Sequence, residues 1–186
     1  MAALIYFATA SLDGYVEDES GGFGWAEPSE EVHWFANDLV RGMGTHLYGR
    51  RMYETMAVWE TDPELAAESP VMADFAAAWQ DADKVVFSTT LAEPVTRRTR
   101  LERTFDPAAV AALKQEATAD LFVAGPTLAA HAFRAGLVDE CRLLLVPYVT
   151  GGGKPALPGG VPLALLEHRA FGNGTVYLRY RTSPLA

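Results

Sequence analysis

The chain has 186 residues, 49% of them apolar and 21% charged, with a formal net charge of −9. That composition supports a packed core and excludes a disordered chain, and the acidic balance argues against nucleic acid or an anionic membrane as partner. No apolar run is long enough to cross a membrane, the N-terminus "MAALIYFATA" lacks the basic flank of a signal peptide, and Cys141 has no second cysteine to pair with, so a single cytoplasmic domain over residues 1–186 is expected.

"LIYFATA" (4–10) reads as a buried strand, and Asp13-Gly14 as the turn after it. "DESGGFGWAEPSEE" (18–31) is a glycine-rich loop whose end opens a helix. Pro28, Ser29, Glu30 and Glu31 supply the start, and Val32, Phe35 and Leu39 the apolar stripe. "THLYG" (45–49) is a brief strand followed by a helix-friendly run. A helix is expected over 70–82, with Val71, Phe75, Ala78 and Trp79 on one face, and then the strand "KVVFSTT" (84–90), which ends in three hydroxyls. Asp106 before Pro107 is an N-cap with proline at the first helical position. "DLFVAG" (120–125) is the next strand, Thr127 is read as the cap of a helix that stops at Gly136, and "ECRLLLVPYV" (140–149) is a long strand. "LALLEHRAF" and "TVYLRYRT" form a closing antiparallel hairpin around Gly172-Asn173-Gly174, and residues 60–70 and "GGGKPALPGG" are long loops. Alternating strands and helices imply an α/β fold: a doubly wound, mostly parallel sheet with an antiparallel C-terminal hairpin.

Several motif matches fail. "TGGGKP" is not a phosphate-binding P-loop, because Pro155 follows the lysine and the upstream glycine is missing. The four histidines stand singly, without ligand spacing, so no metal is expected. What remains is a set of strand ends. In a doubly wound sheet ligands bind beyond the carboxyl ends of the strands. Four such ends carry small or polar groups: Ser11/Asp13/Gly14, Gly49/Arg50/Arg51, Ser88/Thr89/Thr90 and Ala124/Gly125/Pro126/Thr127. Each alone is ordinary turn chemistry; all four at one edge fit a dinucleotide, with the arginine pair holding phosphate.

The stretches "TASLDGYV", "LYGRRMYE", "KVVFSTTL" and "FVAGPTLAAHAFRAGLVDECRLLLVPYVTGGGKP" resemble the dihydrofolate reductase-like superfamily. The match is strongest to the C-terminal reductase domain of the bifunctional riboflavin-biosynthesis deaminase-reductase and its stand-alone relatives. The resemblance implies NADPH as cofactor, a pterin-like or aminopyrimidine heterocycle as small-molecule substrate, and a homodimer through the C-terminal strands. It puts Gly49, Arg50 and Arg51 at the cofactor phosphates, Ser88 and Thr89 at the adenosine side, and Gly125, Pro126, Thr127 and Leu128 at the diphosphate turn. Thr9 and Val16 would flank the nicotinamide. Met52 stands where many relatives have threonine, and Ala124-Gly125 where they have Gly-Gly. Glu31, three residues before Trp34-Phe35, takes the place of the carboxylate of dihydrofolate reductases, with Asp13 as the other candidate acid and Trp25 and Phe35 beside the substrate. A deazaflavin-dependent reductase on the same fold and a non-catalytic nucleotide-binding protein stay open as alternatives.

Overall fold

The apolar runs "LIYFATA", "KVVF" and "DLFVA" become largely buried strands. The computed structural model describes residues 1–183. Strand β1 (Leu4–Ser11) is followed by the short β2 (Tyr15–Glu17), a 3₁₀ turn at Gly24–Ala26 and helix α1 (Glu30–Arg41). Strand β3 (Met43–Gly49) leads directly into α2 (Arg50–Met56), α3 (Val58–Thr61), α4 (Pro63–Ala66) and α5 (Pro70–Asp81). Next come β4 (Asp83–Phe87), β5 (Thr99–Glu102), α6 (Pro107–Glu116), β6 (Asp120–Ala124) and α7 (Pro126–Arg134). Strands β7 (Glu140–Val146), β8 (Lys154–Pro155), β9 (Leu163–Ala170) and β10 (Val176–Thr182) close the described chain.

Eight strands form one sheet in the order β5-β4-β3-β6-β1-β7-β10-β9, parallel from β5 through β7 and antiparallel in β10 and β9. Strand side chains alternate between faces, and the core follows that period. Leu4, Tyr6, Leu47, Val85, Leu121 and Val123 pack with Val110 of α6 and Leu128, Ala132 and Phe133 of α7. Their neighbours Ile5, Tyr48, Val86 and Phe122 face the other way, onto Tyr53 of α2 and Trp79 of α5. Ser29 caps α1 through the N–H of Val32, and Asp106 caps α6 through that of Ala108. β7 ends at Val146 because Pro147 has no N–H to continue the ladder.

Three expectations change. Residues 58–66 are two short helices rather than loop; Asp62 accepts from the N–H of Leu65, and Pro63 opens the second turn. The glycine-rich stretch after β7 is a strap whose Lys154–Pro155 pairs antiparallel with β2. Thr127 is not the cap of α7. Gly125 holds that position at φ +86°, and Thr127 lies within the first helical turn.

Beneath the sheet's second face lies a buried polar chain. Trp79 Nε1 donates to the Tyr48 hydroxyl at 3.0 Å, and that hydroxyl lies 2.9 Å from His46 Nδ1. His46 Nε2 is buried without a protein partner. Lys84 Nζ donates to the Trp79 and Gln80 carbonyls at 3.2 and 3.4 Å, which satisfies the C-terminus of α5. Burial first, and the Lys84 ammonium second, push His46 down to about 3 from an ordinary 6.5. A base whose folded pKa is depressed stays neutral while the unfolded chain takes up the proton, so folding weakens as pH falls from about 6.5 towards 3. The expected loss from this one group is ~1.4 kcal/mol per pH unit within that window. Urea unfolding at pH 7, 6 and 5 checks it: the His46→Gln protein should lose stability with acid less steeply than the parent, and identical slopes would remove His46 from the account.

Candidate functional site

The carboxyl ends of β1, β3, β4 and β6 meet along one crest of the sheet, and the cavity there has a volume of about 740 Å³. It straddles the crest. On the α6/α7 side it is lined by Phe87, Ser88, Thr89, Arg103, Phe105, Leu128 and His131. On the α1/α5 side the lining is Phe7, Thr9, Val40, Met56, Phe75 and Phe122. The crest itself is Gly49, Arg50, Arg51, Met52, Gly125, Pro126 and Thr127.

Two turns make this crest. β3 passes into α2 at Gly49, where an added Cβ would meet nothing closer than Leu128 Cβ at 4.0 Å. β6 passes into α7 at Gly125, whose φ of +86° disfavours any side chain and whose added Cβ would stand 3.3 Å from Met52 Cβ. The first turns of α2 and α7 are therefore packed against each other, and the free N–H groups of α7 open onto the cavity. Ala124, in place of a second glycine, is buried in β6, and its methyl group belongs to the core.

Both arginines are held in place by their neighbours. Arg50 donates to Glu54 at 2.7 Å and to Thr90 Oγ1 at 2.9 Å, which ties α2 to the loop after β4. Arg51 donates to Glu17 at 3.2 Å, and Lys154 lies 3.9 Å from the same carboxylate. Ser88 Oγ accepts from the N–H groups of Thr90 and Leu91, and Arg103 donates to the carbonyls of Ser88, Leu91 and Ala92. The Lys154 strap crosses β2 so closely that a Cβ at Gly153 would lie 1.9 Å from the Glu17 carbonyl oxygen; only glycine fits there.

Eleven residues expected at a cofactor line this one cavity: Thr9, Val16, Gly49, Arg50, Arg51, Ser88, Thr89, Gly125, Pro126, Thr127 and Leu128. The four expected at the chemical step do not. Glu31 is half-exposed on the far side of α1, where it accepts from Arg169 at 3.2 Å and from the N–H of Gly172 at 3.4 Å. It ties α1 to the β9–β10 hairpin and is not enclosed in an apolar pocket. Asp13 accepts from the Ser11 hydroxyl and from the N–H groups of Gly151 and Thr150, and that bonding, the Ser11 contribution largest, holds its carboxyl down to about 2. It fastens the strap and has no proton to give near neutral pH. Phe35 is packed edge-on against Phe171 and Tyr177 in a cluster between α1 and the C-terminal strands. Trp25 lies flat on Tyr148, rings 5.5 Å apart and 6° from parallel, beside the cavity rather than in its wall.

The cavity's one carboxylate among the described residues is Glu17, which nothing in the sequence marks as a site residue, and the same holds for Phe105; Lys154, His131 and Arg103 line the cavity too, the last on an arginine-rich segment (97–103) expected near the adenosine end or the surface. The three glycines before Lys154 were the available signal for the strap. Nothing local marks Phe75 or Met56 as cavity wall rather than core. No helix of the described residues is long and apolar enough to cross a membrane.

The chain matches the model of the RibD C-terminal domain over residues 2–177. It is 26% identical over 187 residues to the uncharacterized protein YyaP of Bacillus subtilis (strain 168), which covers 95% of this chain and 93% of that protein. Among solved structures it resembles a putative riboflavin biosynthesis protein from Shewanella sp. PV-4 at 18% identity and a TM-score of 0.74, over 97% of this chain and 99% of the other. A pyrimidine reductase-like protein from Corynebacterium diphtheriae matches at 12% identity and 0.64, over 98% and 92%. A diaminohydroxyphosphoribosylaminopyrimidine deaminase/5-amino-6-(5-phosphoribosylamino)uracil reductase from Thermotoga maritima matches at 13% and 0.62, and there the chain spans 57% of the longer protein. At these identities the structures establish the fold, which is dihydrofolate reductase-like. The match over residues 2–177 establishes the rest: the chain belongs to the RibD C-terminal domain family.

Proposed function

We propose that this protein is an NADPH-dependent reductase whose cavity holds the dinucleotide across the crest of the sheet and a flat heterocycle with a C=N or C=O bond beside it. The observation that carries this reading is the convergence of the Gly49 and Gly125 turns with Arg50 and Arg51 in one cavity. The donor set fits the group. The two guanidiniums, the open N-terminus of α7 and the backbone at Gly125 suit a diphosphate. Ser88, Thr89 and the rings of Phe87 and Phe105 suit an adenosine on the α6/α7 side. Thr9 and Val16 stand where a nicotinamide would meet the second wing. When bound, the reduced nicotinamide supplies a hydride; the chain's own work is to orient the two rings and keep bulk water from them. Membership of the RibD C-terminal domain family and the reductase named for the Thermotoga maritima relative support the same reaction class.

We also propose a homodimer through the C-terminal edge. β9 pairs only with β10 among the described strands, and its adjacent Leu165 and Leu166, on opposite faces, are 54% and 44% exposed.

Three outcomes are expected. In fluorescence titrations NADPH should bind more tightly than NADH or a reduced deazaflavin, and tighter binding of the deazaflavin would move the protein to another cofactor class. The Arg50→Ala/Arg51→Ala protein should lose several kcal/mol of NADPH binding at most, since each charge-assisted hydrogen bond is worth ~1.5–3 kcal/mol. An unchanged affinity in that folded double variant would remove the phosphate role. Light scattering at micromolar concentration should return twice the chain mass, falling towards one chain in a Leu165→Glu/Leu166→Lys variant; a parent that is already monomeric rejects the dimer.

A further inference from the structure

Among the described residues, the wing of the cavity over α1 and α5 contains no charged group. Phe7, Val40, Met56, Phe75 and Phe122 line it, with the hydroxyls of Thr9 and Thr55 as its polar side-chain groups. Phe7 and Phe122 stand 6.2 Å apart, and Met56 and Phe75 pack against the same buried cluster. Thr9 follows Phe7 on the same face of β1 by the two-residue period. The acidic, basic and imidazole side chains of the cavity among the described residues lie elsewhere: Arg50 and Arg51 on the crest, Arg103 and His131 on the opposite side, Glu17 on β2 and Lys154 on the strap. Glu31 is turned towards Arg169, and Asp13 is committed to the strap.

That chemistry limits what can enter. An aminopyrimidine or pterin presents several donors and acceptors along one edge, and among these carbon atoms most of them would be left unpaired. A phosphoribosyl tail needs a cation of its own, and the two that the dinucleotide reading leaves over lie outside this wing, Arg103 bonded to three backbone carbonyls and Lys154 beside Glu17. The Thr55 hydroxyl spends its proton on the Arg51 carbonyl at 3.0 Å. The Thr9 hydroxyl has no side-chain hydrogen bond among the described residues, so its proton is available for one acceptor atom.

We infer that the hydride acceptor is an uncharged, largely apolar conjugated ring carrying a single carbonyl, bound ring-first in this wing with its oxygen at Thr9; this rests on the dinucleotide reading above. The carbonyl carbon gains the hydride of the reduced nicotinamide, the C=O π pair moves onto oxygen, and the oxygen takes a proton from water at the open mouth. The acceptor becomes an alcohol, and the nicotinamide is oxidised.

The test is calorimetric titration of the full chain, first with NADP⁺ and then, at saturating NADP⁺, with three probes. These are coumarin (neutral, bicyclic, one carbonyl), 2,4-diaminopteridine, and 5-amino-6-(5-phosphoribosylamino)uracil, the reductase substrate class printed for the Thermotoga maritima relative. Coumarin should bind at least about tenfold more tightly than either of the others, with little dependence on salt. Thr9→Val should weaken coumarin severalfold and by a larger factor than it weakens NADP⁺, beside whose nicotinamide Thr9 also stands, and Thr9→Ser should restore coumarin binding. Thr55→Asp, on the exposed side of α2, should favour the diaminopteridine by about tenfold. Tighter binding of the diaminopteridine or the phosphoribosyl compound to the parent overturns the inference alone. Failure of NADP⁺ to bind in the first titration overturns the dinucleotide reading, and this one with it.

Discussion

The whole site depends on the approach of two helix-opening turns at neighbouring strand ends. β3 and β6 are adjacent and parallel, so the chain must leave both at the same edge. The α2 and α7 turns can sit together only because Gly125 tolerates a positive φ and leaves room for Met52. A side chain at Gly125 would strain the backbone and push α2 away from α7. Arg50 and Arg51 would then leave the crest, and the two wings of the cavity would no longer share an opening. The polar neighbours reinforce this arrangement: Arg50 bonds to Thr90 and Arg51 to Glu17, so the crest is braced from both sides.

The wings differ because the strands alternate. Residues of one parity build the face under α6 and α7, where hydroxyls, Arg103 and His131 gather at the strand ends. Residues of the other parity build the face under α1 and α5, where Phe7 and Phe122 emerge beside Phe75 and Met56. A polar wing and an apolar wing joined at a cationic crest suit a ligand with two unlike ends and a charged middle, which is the shape of the proposed dinucleotide and its acceptor. The strap from Thr150 to Pro155 fixes β2 over the crest through Asp13, Glu17 and Gly153, which gives the carboxylate of Asp13 a structural task.

The legibility of these features follows from their physical range. Strands such as "LIYFATA" and "DLFVAG" are buried on both faces and declare themselves as apolar runs. Caps such as Ser29 and Asp106 act within three residues, so they too can be read locally. The strand-end residues were legible because parallel topology sends every such end to one edge. The misplaced residues depend on distant partners. Glu31 meets Arg169 across 138 positions of sequence, and Phe35 is taken up by Phe171 and Tyr177, so nothing within "EEVHWF" could show that its polar and aromatic members turn towards the hairpin. Lys154 reaches the cavity only through a strap whose tight crossing is visible in the fold and not in its composition. Phe75 and Met56 carry the same apolar signal whether they face core or cavity.

A crystal structure of the chain with NADPH tests the central claim most directly. The account predicts the diphosphate at the crest between Gly49 and Gly125, the adenosine beside Ser88 and Thr89, and the nicotinamide at Thr9 and Val16, facing the apolar wing. A dinucleotide bound in the reverse sense, with its adenine in the apolar wing, or held away from the Gly125 turn, would contradict it.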